Sequence, residues 1–129
     1  MGGRCRRRPL PATLLGTTGR ALIDMQKRLF IEMTEAFNAD QWEEVVEMAE
    51  EGQAVAEAVR WAVPEIAAQI YRMLGGSFEA LCDHVKGLGL LEQARALAVE
   101  SGNRLILGEV CSSLAGLFVN ICMDGWMCV

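Results

Sequence analysis

Proline is scarce in this chain, and its scarcity favours helices. Only three prolines occur among 129 residues, and two of them, Pro9 and Pro11, lie close to the N-terminus. No stretch alternates polar and apolar residues over the length of a half-buried strand. Hydrophobic residues nevertheless make up 52% of the chain, and most are Ala, Leu, Val and Met, which suit helices better than strands. The sequence therefore predicts one all-α domain rather than a sheet or a disordered chain.

The chain also lacks the residue patterns that enzymes and metal sites need. It has one histidine, His84, and no Cys-x-x-Cys pair, so the usual zinc-ligand spacing is missing. Cys82 lies close to His84 in the sequence, but no third activating group accompanies this pair. We therefore expect no enzyme activity, no metal and no cofactor. A metal site that adds Cys122 and Cys128 to this pair, and cysteine catalysis, are the alternatives.

Positive charge is concentrated at the N-terminus and is scarce elsewhere. Residues 1–23 carry five arginines and no acid, whereas the rest carries 12 − 5 = 7 Lys/Arg against all 17 Asp/Glu, a formal charge of −10. Nucleic-acid binding depends on basic side chains that meet phosphates, so we expect no nucleic-acid partner. The glutamates gathered over residues 43–51 are interpreted as a solvated face, with a site for cations or basic proteins as the alternative.

Signals for secretion and membrane insertion are missing as well. No stretch is long enough to span a bilayer. The five cysteines are odd in number and irregularly spaced, which indicates a reduced protein. We therefore expect a cytoplasmic protein without a membrane span. Residues 1–19 are interpreted as a flexible arginine-rich head, and their lack of acid leaves import into an organelle open.

Four residue types recur at a constant spacing of 40 residues. The matched pairs are Leu74 and Leu114, Gly76 and Gly116, Phe78 and Phe118, and Cys82 and Cys122. A weaker echo, with an offset of 42 residues, aligns 50–56 with 92–98. A constant period of this length is typical of arrays of helical repeats. We therefore divide residues 20–129 into units of about 21–60, 65–104 and 105–129, the last of them partial.

Hydrophobic periodicity and capping residues place five helices in these units. We predict helices over about 20–37, 41–60, 64–81, 84–100 and 105–122. Asp40 is predicted to cap the second helix, with Glu43 as the returning half of a capping box. Asp83 is predicted to cap the fourth helix, and Gly102 suits the left-handed position that ends it. Gly75 and Gly76 are expected to let the two helices of their unit approach closely.

The second unit resembles the tetratricopeptide repeat, in particular the forty-residue variety of G-protein-signalling modulators and kinesin-light-chain-like arrays. That family has a Leu-Gly pair, an aromatic residue, a turn of the Leu-Gly-Asp-Tyr type and a small residue. Here these places are taken by Leu74-Gly75, Phe78, Leu81-Cys82-Asp83-His84 and Gly87. The next unit offers Leu114-Ala115, Phe118 and Ile121-Cys122, so that the resemblance covers about 21–129. Cys82 stands where the family has a glycine in a left-handed turn.

The resemblance implies antiparallel helix hairpins stacked as a short right-handed superhelix, an α-solenoid. It implies a non-catalytic protein–protein interaction module or scaffold, in which the first helix of each pair lines a groove for a peptide or protein partner. An asparagine before the Leu-Gly pair often holds the ligand backbone in that family, and Met73 and Ser113 stand there instead. The candidate groove residues are Gln69, Arg72, Met73, Gly76, Glu79, Glu109, Ser112, Ser113 and Gly116.

The last predicted helix has no following helix to cover its apolar side. We expect this side to be exposed, and we expect the chain to form a homo-oligomer through residues 105–129. The candidate self-association residues are Leu117, Phe118, Ile121 and Trp126. The alternative function is therefore a truncated or relic repeat fragment that has no ligand of its own and self-associates through this helix.

Overall fold

The computed structural model describes the backbone of residues 19–128 and the side chains of residues 20–119. Almost all of the head proposed for residues 1–19 lies outside this part of the chain. Six α-helices occur in the described residues: α1 (Gly19–Asn38), α2 (Trp42–Glu47), α3 (Ala49–Val59), α4 (Pro64–Ala80), α5 (His84–Ser101) and α6 (Arg104–Cys128). No strand occurs among residues 19–128. The prediction of an all-α chain is confirmed.

The helix predicted over residues 41–60 is divided into α2 and α3. The division lies at Met48, whose backbone φ of −88° and ψ of 5° depart from the helix. The Met48 N–H bonds to the Val45 carbonyl, three residues back, instead of following the four-residue pattern of an α-helix. No proline or capping residue at Met48 signals this division in the sequence.

Asp40 does not cap the helix that follows it. The N-cap of α2 is Gln41, without a side-chain hydrogen bond, and Asp40 has a left-handed φ of 60°. Its N–H bonds to the Phe37 carbonyl, while the Gln41 N–H bonds to the Ala36 carbonyl. These are the two bonds of a left-handed C-terminal cap. Asp40 therefore ends α1, and the predicted capping box with Glu43 is wrong.

The turn between α4 and α5 repeats this geometry 42 residues later. Cys82 has a φ of 68°, its N–H bonds to the Glu79 carbonyl, and the Asp83 N–H bonds to the Phe78 carbonyl. The left-handed position expected at Cys82 is confirmed. Asp83 then caps α5 as predicted, because its carboxylate accepts a hydrogen bond from the Lys86 N–H at 3.3 Å.

The end of α5 and the start of α6 also follow the prediction. Gly102 has a left-handed φ of 72° and closes α5. The Asn103 side chain then accepts hydrogen bonds from the N–H groups of Leu105 and Ile106 at 3.1 and 3.2 Å. Helix α6 begins where expected but continues to Cys128, six residues beyond the predicted end at 122.

The six helices pack around one apolar core. Helix α4 is central, because it contacts each of the other helices, and its contact with α5 is the most extensive. Side chains from all six helices or their ends form the core, including Met33, Val55, Leu74, Leu91 and Leu117. The described residues thus form an all-α fold of six helices packed against one another.

Glycines set the closest approach of α4 and α5. A Cβ atom on Gly75 would lie 2.8 Å from Leu91 Cγ and 3.0 Å from the Gly87 carbonyl oxygen, and a Cβ on Gly87 would lie 3.0 Å from the Gly75 oxygen. The close approach predicted for Gly75 is confirmed. The expectation for Gly76 is wrong, because its nearest neighbour is the Phe37 ring of α1, at 3.4 Å from a built Cβ.

Candidate functional site

A polar network connects α1, α4 and α6 on one side of the fold. The Gln69 side chain on α4 donates a hydrogen bond from Nε2 to Glu109 Oε1 on α6, at 3.1 Å. Arg72 donates from Nε to Gln69 Oε1 at 2.9 Å. The Arg72 guanidinium carbon also lies 5.4 Å from the centre of the Phe37 ring on α1, within the range of a cation–π interaction.

A pocket of about 270 Å³ opens on the same three helices. Phe37 lies beside the pocket in the last turn of α1 and meets Trp42 of α2 edge to face, with ring centres 5.4 Å apart. The pocket is lined by Phe37, Trp42, Gly76, Glu79, Ala80, Leu91, Ser113, Gly116 and Leu117. Its walls are mainly apolar, and Glu79 is the one ionisable side chain among these lining residues. We refer to the polar network and this pocket together as the α1–α4–α6 groove.

The helical period explains why these side chains share a face. Gln69, Arg72 and Gly76 follow one another by three or four residues along α4, and Glu109, Ser113 and Gly116 do so along α6. Gln69 contacts Glu109, and Gly76 lies with Gly116 in the pocket wall, at a constant offset of 40 residues. The repeat period in the sequence is thus also the register in which α4 and α6 lie side by side.

Seven of the nine candidate groove residues come together in this groove. Gly76, Glu79, Ser113 and Gly116 line the pocket, and Gln69, Arg72 and Glu109 form the polar network. Ser112 is exposed and is not one of the lining residues.

Met73 does not lie on the groove surface. Its side chain is only 2% exposed, and its sulfur accepts a hydrogen bond from Thr34 Oγ1 of α1 at 3.7 Å. The sequence could not show that Arg72 faces the groove while Met73 faces the core. Adjacent helical positions differ by about 100° in direction, and which of them is buried depends on where α1 packs.

Two aromatic residues of the pocket are missing from the sequence-based set. Phe37 stands 42 residues before Glu79, and this is the offset that aligns the first two predicted units, so the sequence does indicate this position. Trp42 carries no such signal, because it belongs to α2 and reaches the pocket only through its edge-to-face contact with Phe37.

The candidate self-association residues are divided between surface and interior. Leu117 is fully buried, whereas Phe118 is 52% exposed. Leu117 therefore lies within the chain's own core and not on an exposed apolar face, because α6 directs it toward α4 and α5. The side chains of Ile121 and Trp126 lie outside the described residues. Self-association through residues 105–129 stays a prediction.

The alternative metal site falls partly outside the described side chains, because Cys122 and Cys128 lie beyond residue 119. Within the described residues no group of three or more His, Cys, Asp or Glu side chains is placed to hold a metal ion. Cys82 and Cys111 are free and exposed. None of the helices among residues 19–128 combines the length and the apolar character that crossing a bilayer requires.

Comparison with protein-family models, with curated proteins and with solved structures gave no match to this chain.

Proposed function

We propose that this chain is a short tetratricopeptide-like array that binds an extended segment of a partner protein in the α1–α4–α6 groove. In this proposal α1, α4 and α6 are the first helices of three successive units, stacked as a right-handed α-solenoid. The activity is binding without catalysis and without a cofactor. The free, exposed thiols of Cys82 and Cys111 are compatible with a reducing compartment such as the cytoplasm.

Three features of the packing support a repeated unit. Contacts join each helix to the next along the chain, and further contacts join α1 to α4 and α4 to α6. These contacts have similar offsets along the chain, since Thr34 of α1 meets Met73 of α4 at 39 residues and Gln69 of α4 meets Glu109 of α6 at 40 residues. Asp40 and Cys82 close α1 and α4 with the same pair of hydrogen bonds. Arrays of stacked helix pairs have this arrangement.

The observation that carries the proposal is the pocket between these repeated helices. Glycine occurs at the equivalent positions Gly76 and Gly116 in two neighbouring units, and both lie in its wall. The absence of side chains at these positions leaves the space that the pocket occupies. A concave, mainly apolar site with a few polar groups is the usual form of a binding site, and a groove along stacked repeats suits an extended segment.

Filling the pocket from Gly116 tests this proposal without disturbing the core. A Cβ atom on Gly116 has no neighbour within 4 Å, and the same is true of Gly108, two turns earlier on the same helix and outside the pocket lining. Gly116→Leu therefore places a side chain at the pocket wall, and Gly108→Leu is its matched control. Random twelve-residue peptides displayed on phage are selected on the unmodified chain and then measured on both variants by fluorescence anisotropy.

We expect selected peptides to bind Gly108→Leu as they bind the unmodified chain and to lose at least about tenfold in affinity for Gly116→Leu, a loss of roughly 1.4 kcal/mol. Circular dichroism confirms that both variants remain folded. Peptides that bind the two variants equally, or the absence of any selected peptide, would refute groove binding.

A further inference from the structure

We infer that the segment bound in the α1–α4–α6 groove carries two basic side chains about five residues apart, one in the pocket and one at Glu109. This inference rests on the proposed function and specifies its ligand class. It follows from the chemistry of the pocket, the position of Glu109 and the charge of the chain.

The pocket combines an apolar wall with a carboxylate. Phe37, Trp42 and Ala80 supply apolar and aromatic surface, since each is at least partly exposed, and Glu79 supplies the carboxylate. A lysine or arginine matches both, because its aliphatic stem packs on apolar surface while its charged end meets an acid. An apolar ligand side chain would match the apolar wall but would form no ion pair with the Glu79 carboxylate, which has several lone pairs that accept hydrogen bonds.

The volume of the pocket favours a single side chain over a cofactor. At about 270 Å³, it lies below the range of roughly 300–1,000 Å³ that is typical of small-molecule sites. The edge-to-face pair of Phe37 and Trp42 borders the pocket. Aromatic rings attract cations electrostatically, and Arg72 already uses the Phe37 ring in this way.

Glu109 provides a second carboxylate at a defined distance. Gln69 of α4 holds one of its oxygens, and a carboxylate has further lone pairs that accept hydrogen bonds. Glu109 of α6 lies beside Gln69 of α4. Gln69 precedes Glu79 by ten residues on α4, so Glu109 and Glu79 are separated by about 15 Å along the helix axis. With one interhelical spacing of about 9 Å added across the groove, the two acids lie roughly 17 Å apart. An extended peptide covers about five residues over this length.

The charge of the whole chain favours the same ligand. Four of the twelve Lys/Arg residues precede residue 19, which leaves 12 − 4 = 8 against 17 Asp/Glu, a formal −9. A field of this sign draws basic segments to the protein and repels acidic ones. Arg72 is a cation within the groove, but its guanidinium is engaged with Gln69 and Phe37. An acidic peptide that pairs with Arg72 is therefore the competing ligand.

Three labelled nonapeptides distinguish these ligands. In a background of alanine and serine, the first has arginine at its third and eighth positions, the second has norleucine there and the third has glutamate. Binding to the full chain is measured by fluorescence anisotropy at low and high salt. The protein variants are Glu79→Gln, Glu109→Gln and, as a control, Glu92→Gln, since Glu92 is exposed on α5 and is not in the groove.

We expect the arginine peptide to bind at least about tenfold more tightly than the norleucine peptide and to weaken at high salt. Glu79→Gln and Glu109→Gln should each weaken it by about threefold to tenfold, as the loss of one ion pair does, and Glu92→Gln should leave it unchanged. Moving the second arginine of the peptide two positions closer to the first should remove the contribution of Glu109 to binding.

Two results would overturn the inference while leaving the proposed function intact. In the first, the norleucine or glutamate peptide binds as tightly as the arginine peptide or more tightly, and Gly116→Leu still prevents this binding. The other is a set of display-selected peptides that are sensitive to Gly116→Leu and contain no basic residue. If no peptide of any composition is sensitive to Gly116→Leu, both the inference and the proposed function fail.

Discussion

Substitution of Gly75 by alanine tests the packing on which the groove depends. A methyl group there would lie 2.8 Å from Leu91 Cγ and 3.0 Å from the carbonyl oxygen of Gly87. The second contact is with backbone, so no side-chain rotation relieves it, and Leu91 is fully buried. Helices α4 and α5 must therefore separate, or the methyl group must overlap its neighbours.

The expected loss of stability in Gly75→Ala follows from comparison with Gly108→Ala. Both substitutions replace a glycine within a helix and gain about 1 kcal/mol in helix propensity. Gly108 has open space around a built Cβ, so only Gly75→Ala incurs the cost of overpacking, about 1–3 kcal/mol. The propensity term cancels in the difference, and Gly75→Ala should be less stable than Gly108→Ala by that cost.

Urea denaturation followed by far-ultraviolet circular dichroism measures this difference. With a slope of about 2 kcal/mol per molar urea, the midpoint of Gly75→Ala should lie about 0.5–1.5 M below that of Gly108→Ala. Gly87→Ala should shift in the same direction, because its methyl group meets the Gly75 oxygen. Equal midpoints for Gly75→Ala and Gly108→Ala would contradict the close approach of α4 and α5.

Three further predictions concern the same unfolding measurement. Leu117→Ala should lower the free energy of unfolding by about 2–5 kcal/mol, because the side chain is fully buried, whereas Phe118→Ala, at a half-exposed position, should cost less than about 1 kcal/mol; similar losses would contradict the burial of Leu117. Cys82→Gly should stabilise the chain by about 0.5–1 kcal/mol, because glycine adopts a φ of 68° without strain. Asp40→Gly should gain less, since aspartate tolerates the left-handed region, and a larger gain at Asp40 would refute this reasoning. Asp83→Ala should cost about 1 kcal/mol through loss of the cap on α5, and no loss would show that the bond to Lys86 N–H contributes nothing.

The location of the groove was partly accessible from the sequence. The offset of 40 residues aligned Gly76 with Gly116, and both line the pocket. The second offset found in the sequence, 42 residues, aligns Phe37 of the first predicted unit with Glu79 of the second. A period identifies equivalent positions on equivalent helices, and if these pack in register the positions meet. Trp42 was inaccessible to this reasoning because it lies on a different helix of its unit and has no aligned partner in the groove.

The sequence by itself determined the features that depend on neighbours along the chain. The starts of α4 and α5, the cap at Asp83 and the left-handed Gly102 follow from short-range hydrogen bonding and steric limits. The left-handed position at Cys82 was expected only from the resemblance to a repeat family, because steric limits disfavour a cysteine there. Hydrophobic periodicity also fixed the all-α class, because the apolar residues recur at helical spacing.

Only the tertiary structure decided which helix each side chain meets. Met73 and Leu117 are apolar residues on amphipathic helices, yet one was expected in the groove and the other on an exposed face, and both are buried. Gly75 contacts α5 while Gly76 contacts α1, although the two are adjacent. Adjacent positions on a helix point about 100° apart, so the neighbour that each one meets is set by the placement of other helices, which local sequence does not encode.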